Sequence, residues 1–358
     1  MRVSLDKITK SFKKVDVLQE INLDIKDGEF VAFLGPSGCG KTTTLLIVAG
    51  IYKATSGIIK FDDTVVNKLV PKDRNIGMVF QSYALYSHMN VYQNLTFSLM
   101  LRKKSKVEMD KAAKITSEMM GIGHLLDRKV GMLSGGQQQR VALGRALIKK
   151  PGLLLFDEPL SNLDARLRIH MRSEIKKIQH DLGTTAIYVT HDQIEAMSMA
   201  DRIAVMKEGV MQAYDTPSNI HDKPKTMFVA TFVGNPPMNI FDVTLQKENE
   251  KLYVKISEGL TLEVPPERTP KSFPERVKMG IRPQDLEIGG KEGLTFKVFM
   301  IEPTGRDDVI VCENNGLNFT GLATPGHSIK ENENIKVSFD MEKVQFFDAD
   351  TEKSILWN

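Results

Sequence analysis

The stretch GPSGCGKTT, residues 35–43, is a glycine-rich turn that separates a short apolar run from a longer apolar segment. Residues 29–34 predict a strand before the turn, and the residues after it predict a helix that ends near Gly50. Strand, glycine-rich loop and helix in this order are typical of a phosphate-binding loop in an α/β fold.

The residue types in this loop suit a nucleotide with several phosphates. Gly35, Gly38 and Gly40 let the backbone wrap closely around a phosphate chain, and the following helix N-terminus directs positive potential at it. Lys41 adds a full charge for the β and γ phosphates, and Thr42 places a hydroxyl where it can ligate Mg²⁺. The residues assigned to nucleotide binding are Gly35, Pro36, Ser37, Gly38, Cys39, Gly40, Lys41, Thr42 and Thr43.

A second motif, LLLFDEP, places two carboxylates directly after a predicted buried strand at residues 153–156. Asp157 can reach Mg²⁺ through water, and Glu158 is a candidate base for the water that attacks the γ-phosphate. The alternative is a solvated acidic turn. Burying two adjacent acids would cost several kcal/mol unless a cation or a water network compensates them, which favours a metal site.

The third motif is LSGGQQQR, residues 133–140, in which Ser134 is a good N-cap and Gly135 and Gly136 let a ligand approach exposed amides. Alone, this pattern could be a simple helix start. Beside a complete phosphate loop it indicates a second phosphate-binding surface, which a symmetric partner chain would use.

Composition sets the outer limits of the interpretation. The 358 residues favour one larger and one smaller domain, and 41% hydrophobic with 26% charged residues is ordinary for a globular protein. The net charge of +3 does not indicate a nucleic acid partner, and two cysteines exclude a disulfide framework. No stretch approaches about 18 apolar residues, so we expect a cytoplasmic chain whose membrane partners are other subunits.

The segment GNPPMN, residues 234–239, is a plausible domain boundary, because two prolines and a glycine cannot continue a helix. Before it, strand and helix patterns alternate; after it, short strands predict a small all-β domain. Predicted strands before it are 18–25, 29–34, 76–81, 153–156 and 186–189, with a hairpin at 202–211 turning at Glu208 and Gly209. Predicted helices are 91–100, 107–120, 164–182 and 227–232. In the third, Asp164 can serve as the N-cap and Gly183 supplies the stop, and its apolar face consists of Leu167, Met171, Ile175, Ile178 and Leu182. Predicted strands after it are 253–256, 277–281, 296–301, 309–312 and 335–339.

The motifs GPSGCGKT, Gln81, LSGGQ, LLLFDEP, SNLD and His191 stand in the order and spacing of the ATP-binding-cassette (ABC) ATPases, which residues 1–234 resemble. In that family two subunits pack head to tail, and each ATP lies between the phosphate loop of one and the signature helix of the other. The resemblance assigns Ser134, Gly135, Gly136 and Gln137 to that second surface. It also implies a helical subdomain at about residues 88–150.

Further roles follow from the resemblance one residue at a time. Phe12 resembles the aromatic that stacks on adenine, with Val17 beside it, although packing of Phe12 on Val17 is an alternative. Gln81 resembles the residue that touches Mg²⁺ and the attacking water, and the SYALYSHM stretch after it is expected to meet the membrane subunit. His191 resembles the switch histidine that holds the γ-phosphate, and Asp164 the aspartate at the dimer interface. The implied catalytic set is Lys41, Gln81, Glu158 and His191, and the implied metal ligands are Thr42, Gln81 and Asp157.

GNPPMNIF and GIRPQDL, the latter residues 280–286, resemble segments of maltose and multiple-sugar importer ATPases. Residues 235–358 are therefore expected to form an OB-like (TOBE-type) barrel that contributes to dimerisation and regulation. Importers of polyamines, iron, sulfate or molybdate share parts of these segments and remain alternatives for the substrate. Two departures from the pattern are Ser87, where proline is common, and Gly144, where alanine is usual.

The resemblance implies a second ATPase subunit, two transmembrane permease subunits and, indirectly, an extracytoplasmic solute-binding protein as partners, with ATP and Mg²⁺ as cofactors. A DNA-repair ATPase of the same superfamily would carry long heptad segments or zinc-binding cysteines, and a translation factor would carry two cassettes. Neither pattern occurs in this sequence. An exporter commonly has its membrane part fused to the cassette, and no spanning helix is predicted in this sequence. An exporter is therefore disfavoured and stays open only as a separate subunit.

Overall fold

The glycine-rich loop joins a central strand, β3 (Phe30–Leu34), to helix α1 (Lys41–Ala49), as predicted. The computed structural model describes residues 1–257, 260–291, 293–314 and 317–357, and contacts divide it into two units, Met1–Pro217 and Ser218–Asn358. All five residues of β3 are buried, which explains its uninterrupted apolar sequence.

A six-stranded sheet forms the centre of the first unit, with the order β10-β9-β3-β8-β7-β6. Strands β6, β7, β8, β3 and β9 are parallel to one another, and β10 pairs antiparallel with β9. The hairpin at Glu208 and Gly209 is confirmed, with positive φ at both residues. The remaining bounds are β6 (Ile76–Val79), β7 (Leu153–Asp157), β8 (Thr185–Thr190), β9 (Arg202–Lys207) and β10 (Val210–Asp215).

A second, antiparallel sheet has the order β2-β1-β4-β5, and sequence analysis found only β2 of its strands. Its bounds are β1 (Val3–Phe12), β2 (Val15–Ile25), β4 (Ser56–Phe61) and β5 (Thr64–Val65). Strand β1 was missed because its pairing with β2 is irregular between Leu5 and Ile8, where Lys7 has a φ of 48°. A bulge of this kind breaks the alternation of apolar and polar residues.

Helices α2 (Val91–Leu101), α3 (Lys106–Met119) and α4 (Gly135–Leu147) pack together within one apolar core that includes Leu95 and Leu143. The first two confirm the predicted helices to within one residue at each end. Each of the three begins with a capping box, in which the N-cap side chain and the third helical residue exchange hydrogen bonds with the backbone.

Helix α5 (Ala165–Leu182) begins after its N-cap Asp164 and ends at Gly183, which has a φ of 58°, as predicted. Of its predicted apolar face, Met171 and Ile175 are buried, whereas Leu182 at the last turn is 43% exposed. Helix α6 (Gln193–Met199) follows β8. No helix in the described part of the chain is long and apolar enough to span a membrane.

The second unit is mainly β, in agreement with the prediction. Helices α7 (Pro217–Asp222) and α8 (Met227–Phe232) precede two five-stranded antiparallel sheets, β13-β12-β11-β14-β20 and β15-β19-β16-β17-β18. Their strands are β11 (Asn239–Glu248), β12 (Lys251–Ser257), β13 (Leu260–Val264), β14 (Val277–Ile281), β15 (Leu286–Ile288), β16 (Leu294–Pro303), β17 (Asp308–Asn314), β18 (Leu317–Ala323), β19 (Asn334–Phe339) and β20 (Gln345–Asp348). The predicted domain boundary at residues 234/235 lies just after α8, and it stays a prediction.

Candidate functional site

Four neighbouring strands end at the same edge of the six-stranded sheet. Because β3, β8, β7 and β6 are adjacent and parallel, the segments that follow them lie side by side. These segments carry the phosphate loop after β3, His191 after β8, Glu158 after β7 and Gln81 after β6. Ligands of open α/β sheets bind at this carboxyl edge.

The phosphate loop holds its lysine through two backbone carbonyls. Lys41 is buried, and its Nζ donates to the carbonyl oxygens of Gly35 at 2.7 Å and Pro36 at 2.9 Å. Gly40 has a φ of 104°, and a Cβ there would lie 3.1 Å from the carbonyl oxygen of Val17. Glycine at position 40 therefore permits both the turn and the close approach of β2 to the loop.

The other loop residues divide into an exposed crest and a buried base. Ser37 and Gly38 are exposed, Thr43 is half-buried, and Cys39 is buried with its Sγ 3.8 Å from Lys41 Nζ. Burial raises the pKa of the Cys39 thiol above its ordinary value, and the nearby Lys41 ammonium opposes that rise. The thiol has the character of a small filler under the loop.

Thr42 and Asp157, 115 residues apart in the chain, meet at the end of β7. Thr42 Oγ1 donates a hydrogen bond of 2.8 Å to Asp157 Oδ1. Desolvation raises the pKa of Asp157, and the Thr42 hydroxyl opposes this. A hydroxyl beside a carboxylate that has lost much of its hydration is an oxygen donor set that suits Mg²⁺ together with phosphate oxygens and water.

Glu158 forms the centre of a second cluster. Its Oε2 lies 3.2 Å from His191 Nδ1 and accepts a 3.4 Å hydrogen bond from Gln81 Nε2. Its backbone has a φ of 44°, and its amide donates to the carbonyl of Val189 on β8. A left-handed glutamate is unusual and is held here by the neighbouring strand. The cluster brings together three of the four residues predicted to be catalytic.

Two residues that sequence analysis did not assign hold this cluster in place. Asn162 Nδ2 donates to the carbonyl of Gln81 at 2.8 Å, and Ser161 Oγ donates to the carbonyl of Glu158 at 2.9 Å. Both belong to the SNLD motif, which was read only for Asp164. The polar pair Ser161 and Asn162, two residues after the LLLFDEP motif, was the available signal.

The signature residues lie beside the start of α5. Ser134 caps α4, its Oγ accepts from the amide of Gln137, and Gln137 Oε1 accepts from the amide of Ser134. Gly135 is exposed, and a Cβ at Gly136 would lie 2.9 Å from Leu167 Cδ2, so glycine lets the two helices approach. Asp164 caps α5 by accepting from the Leu167 amide at 2.9 Å. Both structural predictions, the caps at Ser134 and Asp164, are confirmed.

Phe12 lies at the end of β1, and its ring is 40% exposed. The ring packs edge-to-face against the ring of Tyr52, with 5.4 Å between the centroids. The Nζ atom of Lys10 lies 4.5 Å from the centroid of the Phe12 ring. An exposed aromatic ring next to an ammonium group can present a face to an adenine base. The stacking role of Phe12 stays a prediction.

Arg145 is a further residue that sequence analysis missed. From the last turn of α4 it donates to the carbonyls of Ala84 at 2.6 Å and Tyr83 at 2.7 Å. Both of these residues have positive φ, 48° for Ala84 and 60° for Tyr83. The arginine thus holds a strained segment, just after Gln81, against the helix that carries the signature residues at its other end.

Comparison with known families gives two matches along the chain. A family described as ABC transporter matches residues 18–161, and the MalK OB fold domain matches residues 234–286. The first match contains the phosphate loop and both carboxylates of the LLLFDEP motif. The second starts at the GNPPMN segment.

Curated relatives match along almost the whole chain. The osmoprotective compounds uptake ATP-binding protein GgtA of Synechocystis is 45% identical, covering 99% of both chains. The trehalose/maltose import ATP-binding protein MalK of Thermococcus litoralis is 43% identical, and the sulfoquinovosyl glycerol transport ATP-binding protein SmoE of Agrobacterium fabrum is 44% identical, each again over 99% of both chains.

Solved structures resemble the first part of the fold. A dimeric ATP-binding cassette in a post-hydrolysis state with ADP and Pi is 33% identical, with a TM-score of 0.55 over 60% of this chain and 98% of that chain. CbiO1 of Clostridium perfringens, part of an ABC transporter complex, is 32% identical with a TM-score of 0.57 over 61% of this chain and 89% of that chain.

Proposed function

This chain belongs to the ABC transporter family of ATP-binding proteins, and from that premise we propose that it energises the uptake of a sugar or sugar-like solute. It is an ATPase subunit of an importer, and the transported solute and the individual site residues are the proposed part. The observation that supports the proposal best is the site itself, where Glu158, His191 and Gln81 converge beside the phosphate loop and the Thr42–Asp157 pair.

In the proposed hydrolysis, Glu158 takes a proton from the attacking water while His191 and Gln81 fix the position of its carboxylate. Lys41 exchanges its two carbonyl partners for phosphate oxygens and neutralises charge that develops on them. Mg²⁺, held by Thr42, Asp157 and Gln81, would supply electrostatic stabilisation of the phosphates. As the water oxygen bonds to the γ-phosphorus, the bond from that phosphorus to the bridging oxygen breaks and ADP leaves with the oxygen, a displacement for which the protein supplies positioning and charge stabilisation.

The nucleotide is proposed to be shared with a second copy of this chain. Ser134, Gly135 and Gln137 lie at the exposed start of α4, where backbone amides suit an anion. Phe12 and Val17 would contact the base side of the nucleotide bound to their own chain. A related cassette has been solved as a dimer with ADP and Pi, which supports this arrangement.

A groove on the first unit supports the proposal that membrane permease subunits bind there. Its volume is about 460 Å³, and it includes Ala84 and Tyr86 from the stretch after Gln81. Arg145 lines the same groove and lies 5.5 Å from the centre of the Tyr86 ring. A permease segment seated there would press on the residues next to Gln81, and the chain would then work at the cytoplasmic face of the membrane.

The choice of a sugar or sugar-like solute rests on the relatives. They are named for trehalose and maltose, for sulfoquinovosyl glycerol and for osmoprotective compounds. The MalK-type match at residues 234–286 points the same way. We also propose residues 235–358 as the regulatory and dimerisation domain, and a solute-binding protein outside the membrane as an indirect partner.

Co-purification tests the proposal. A tagged Glu158→Gln chain is isolated from native membranes in MgATP, and its partners are identified by mass spectrometry, with the Lys41→Ala chain as a control that lacks the phosphate contact. We expect two polytopic permeases to co-purify with the chain. We also expect a carbohydrate-binding lipoprotein, either retained on the permeases or encoded beside their genes. Recovery of ribosomes or DNA-repair proteins would contradict transport, and a lipoprotein specific for polyamine, iron, sulfate or molybdate would contradict the sugar assignment.

A further inference from the structure

The residues on both sides of His191 belong to one chain of hydrogen bonds. The Asp192 amide donates to Thr190 Oγ1 at 3.0 Å, so the Thr190 hydroxyl hydrogen is free to donate to Glu195 Oε2, which it does at 2.7 Å. The Tyr188 hydroxyl donates to the same Glu195 oxygen at 2.9 Å. Strand β8, the turn at His191 and helix α6 are therefore joined through one carboxyl group.

This network lies in the interior. Glu195 is only 4% exposed, and Tyr188 and Thr190 are also buried. Burial raises the pKa of Glu195, and the two hydroxyl donors act against that rise. A buried hydroxyl or carboxyl left without its partner is unfavourable, so the arrangement strongly favours a single geometry of the turn.

Packing and a helix cap fix the rest of the turn. The Tyr188 ring lies between the rings of Phe30 and Phe156, with centroid distances of 5.7 and 5.8 Å. Asp192 Oδ1 accepts from the amides of Ile194 at 2.7 Å and Glu195 at 3.1 Å, which caps α6. Within this fixed turn His191 stands out, because its side chain is 57% exposed and reaches Glu158.

We propose that Glu195 is a positioning residue for ATP hydrolysis, which sets the orientation of His191 by holding Thr190 and Tyr188. The inference rests on the role proposed above for His191. Glu195 does not contact the Glu158 cluster in this arrangement; its effect passes through the backbone of residues 190–192. Loss of its carboxyl would let the turn take other conformations and would misplace the His191 imidazole.

Two matched pairs of variants test this role in the full-length chain. Glu195→Leu removes the carboxylate that accepts both hydrogen bonds, whereas Glu195→Gln keeps one oxygen that can accept hydrogen bonds from both hydroxyl groups. Thr190→Val removes the link to Asp192, whereas Thr190→Ser keeps it. We expect the Leu and Val variants to lose about 10- to 100-fold in kcat, as small misplacements of catalytic groups do. KM for ATP should stay within about twofold, and the Gln and Ser variants should retain most of kcat.

The His191→Ala background separates positioning from loss of folding. If Glu195 acts through His191, adding Glu195→Leu to His191→Ala should lower kcat no further, since the group it positions is already absent. Equal losses in both backgrounds, or a Glu195→Leu chain with unchanged kcat, would overturn the inference. If His191→Ala itself hydrolyses ATP at the wild-type rate, the role proposed for His191 is what fails, and the inference about Glu195 fails with it.

Discussion

Glu158 is the residue on which the proposed hydrolysis of ATP depends most. It lies between the imidazole of His191 and the side-chain amide of Gln81, and Asn162 donates to the backbone carbonyl of Gln81. Its left-handed backbone is stabilised by a hydrogen bond from the Glu158 amide to the carbonyl of Val189 on β8. Backbone strain at such a position is tolerated where the surrounding contacts over-determine it, which is common in active sites.

The substitution Glu158→Gln removes the proton acceptor and keeps the size and hydrogen-bonding reach of the side chain. We expect ATP binding to remain and kcat to fall by about 10²- to 10⁴-fold, the usual contribution of a general base. Equilibrium binding of ATP and steady-state phosphate release measure the two effects. The Glu158→Asp chain is the control, because it keeps the carboxylate but shortens it. Wild-type turnover in Glu158→Gln would remove the base role from this residue.

The thiol of Cys39 provides a test of the phosphate loop by pH. Because burial raises the pKa of the Cys39 thiol above its ordinary value, the thiolate fraction is low at neutral pH. Alkylation should therefore reach half its maximal rate only at a higher pH than alkylation of free cysteine does. The measurement uses iodoacetamide on a Cys312→Ser chain, so that a single thiol remains. ATP should slow the reaction, because the thiol lies beneath the loop. A half-maximal rate at or below the pH found for free cysteine under the same conditions would show that the loop opens and exposes Cys39.

At the scale of elements, helix α4 links two regions of the site. Its first turn carries the signature residues, and Arg145 in its last turn holds Tyr83 and Ala84. Burial lowers the pKa of Arg145, but a guanidinium stays charged at neutral pH, so both carbonyl contacts are charge-assisted. A rotation of α4 would therefore move the signature residues and the segment after Gln81 together.

Gly144 lies on the buried side of α4, where alanine is usual in the resembling family. A Cβ there would lie 2.8 Å from Leu95 Cδ2 and 3.3 Å from Thr116 Cγ2. Alanine in place of glycine favours a helix by about 1 kcal/mol, whereas overpacking a core costs about 1–3 kcal/mol. We expect Gly144→Ala to lower the free energy of unfolding by about 1 kcal/mol, measured by urea denaturation.

A second substitution identifies the cause of that loss. In a Leu95→Val background the shorter side chain no longer reaches the position of the new Cβ. The same Gly144→Ala change should then leave the free energy of unfolding unchanged or raise it. The double-mutant cycle then gives a favourable coupling of at least about 0.5 kcal/mol. Additive losses would show that the crowding with Leu95 is relieved elsewhere in the helical core.

Elements with strong local signals were predictable, and those without were not. Helix α5 carries its start signal, Asp164, and its stop signal, Gly183, in the sequence itself. Strand β1 carries a bulge at Lys7 and was missed. The predicted strand 76–81 ends earlier, at Val79, which leaves Gln81 free to turn toward Glu158. That contact depends on the turn after β6, which no periodicity describes.

At the scale of the whole molecule, motif recognition supplied the residue types of the site but not their distances. Thr42 meets Asp157, and His191 meets Glu158, only because β3, β8 and β7 are neighbours. The order of strands in a parallel sheet is set by long-range packing, and no local pattern in the chain encodes it. In the proposed role of the signature residues, they bind the nucleotide held by the phosphate loop of a partner chain, so a complete site would need two copies of this chain.

Mixing two inactive variants tests whether the site is shared. In a Lys41→Ala homodimer every site lacks the lysine, and in a Ser134→Arg homodimer every site lacks the signature cap. A heterodimer of the two places both defects in one site and leaves the other site intact, because each site takes its phosphate loop from one chain and its signature from the other. Heterodimers isolated through two different tags should recover up to roughly half of the wild-type ATPase activity. A pair of Lys41→Ala and Thr42→Ala is the matched control, since each defect then lies in a different site and no intact site forms. Recovery in the control, or inactive test heterodimers that still bind ATP and stay paired, would contradict a site built from two copies of this chain.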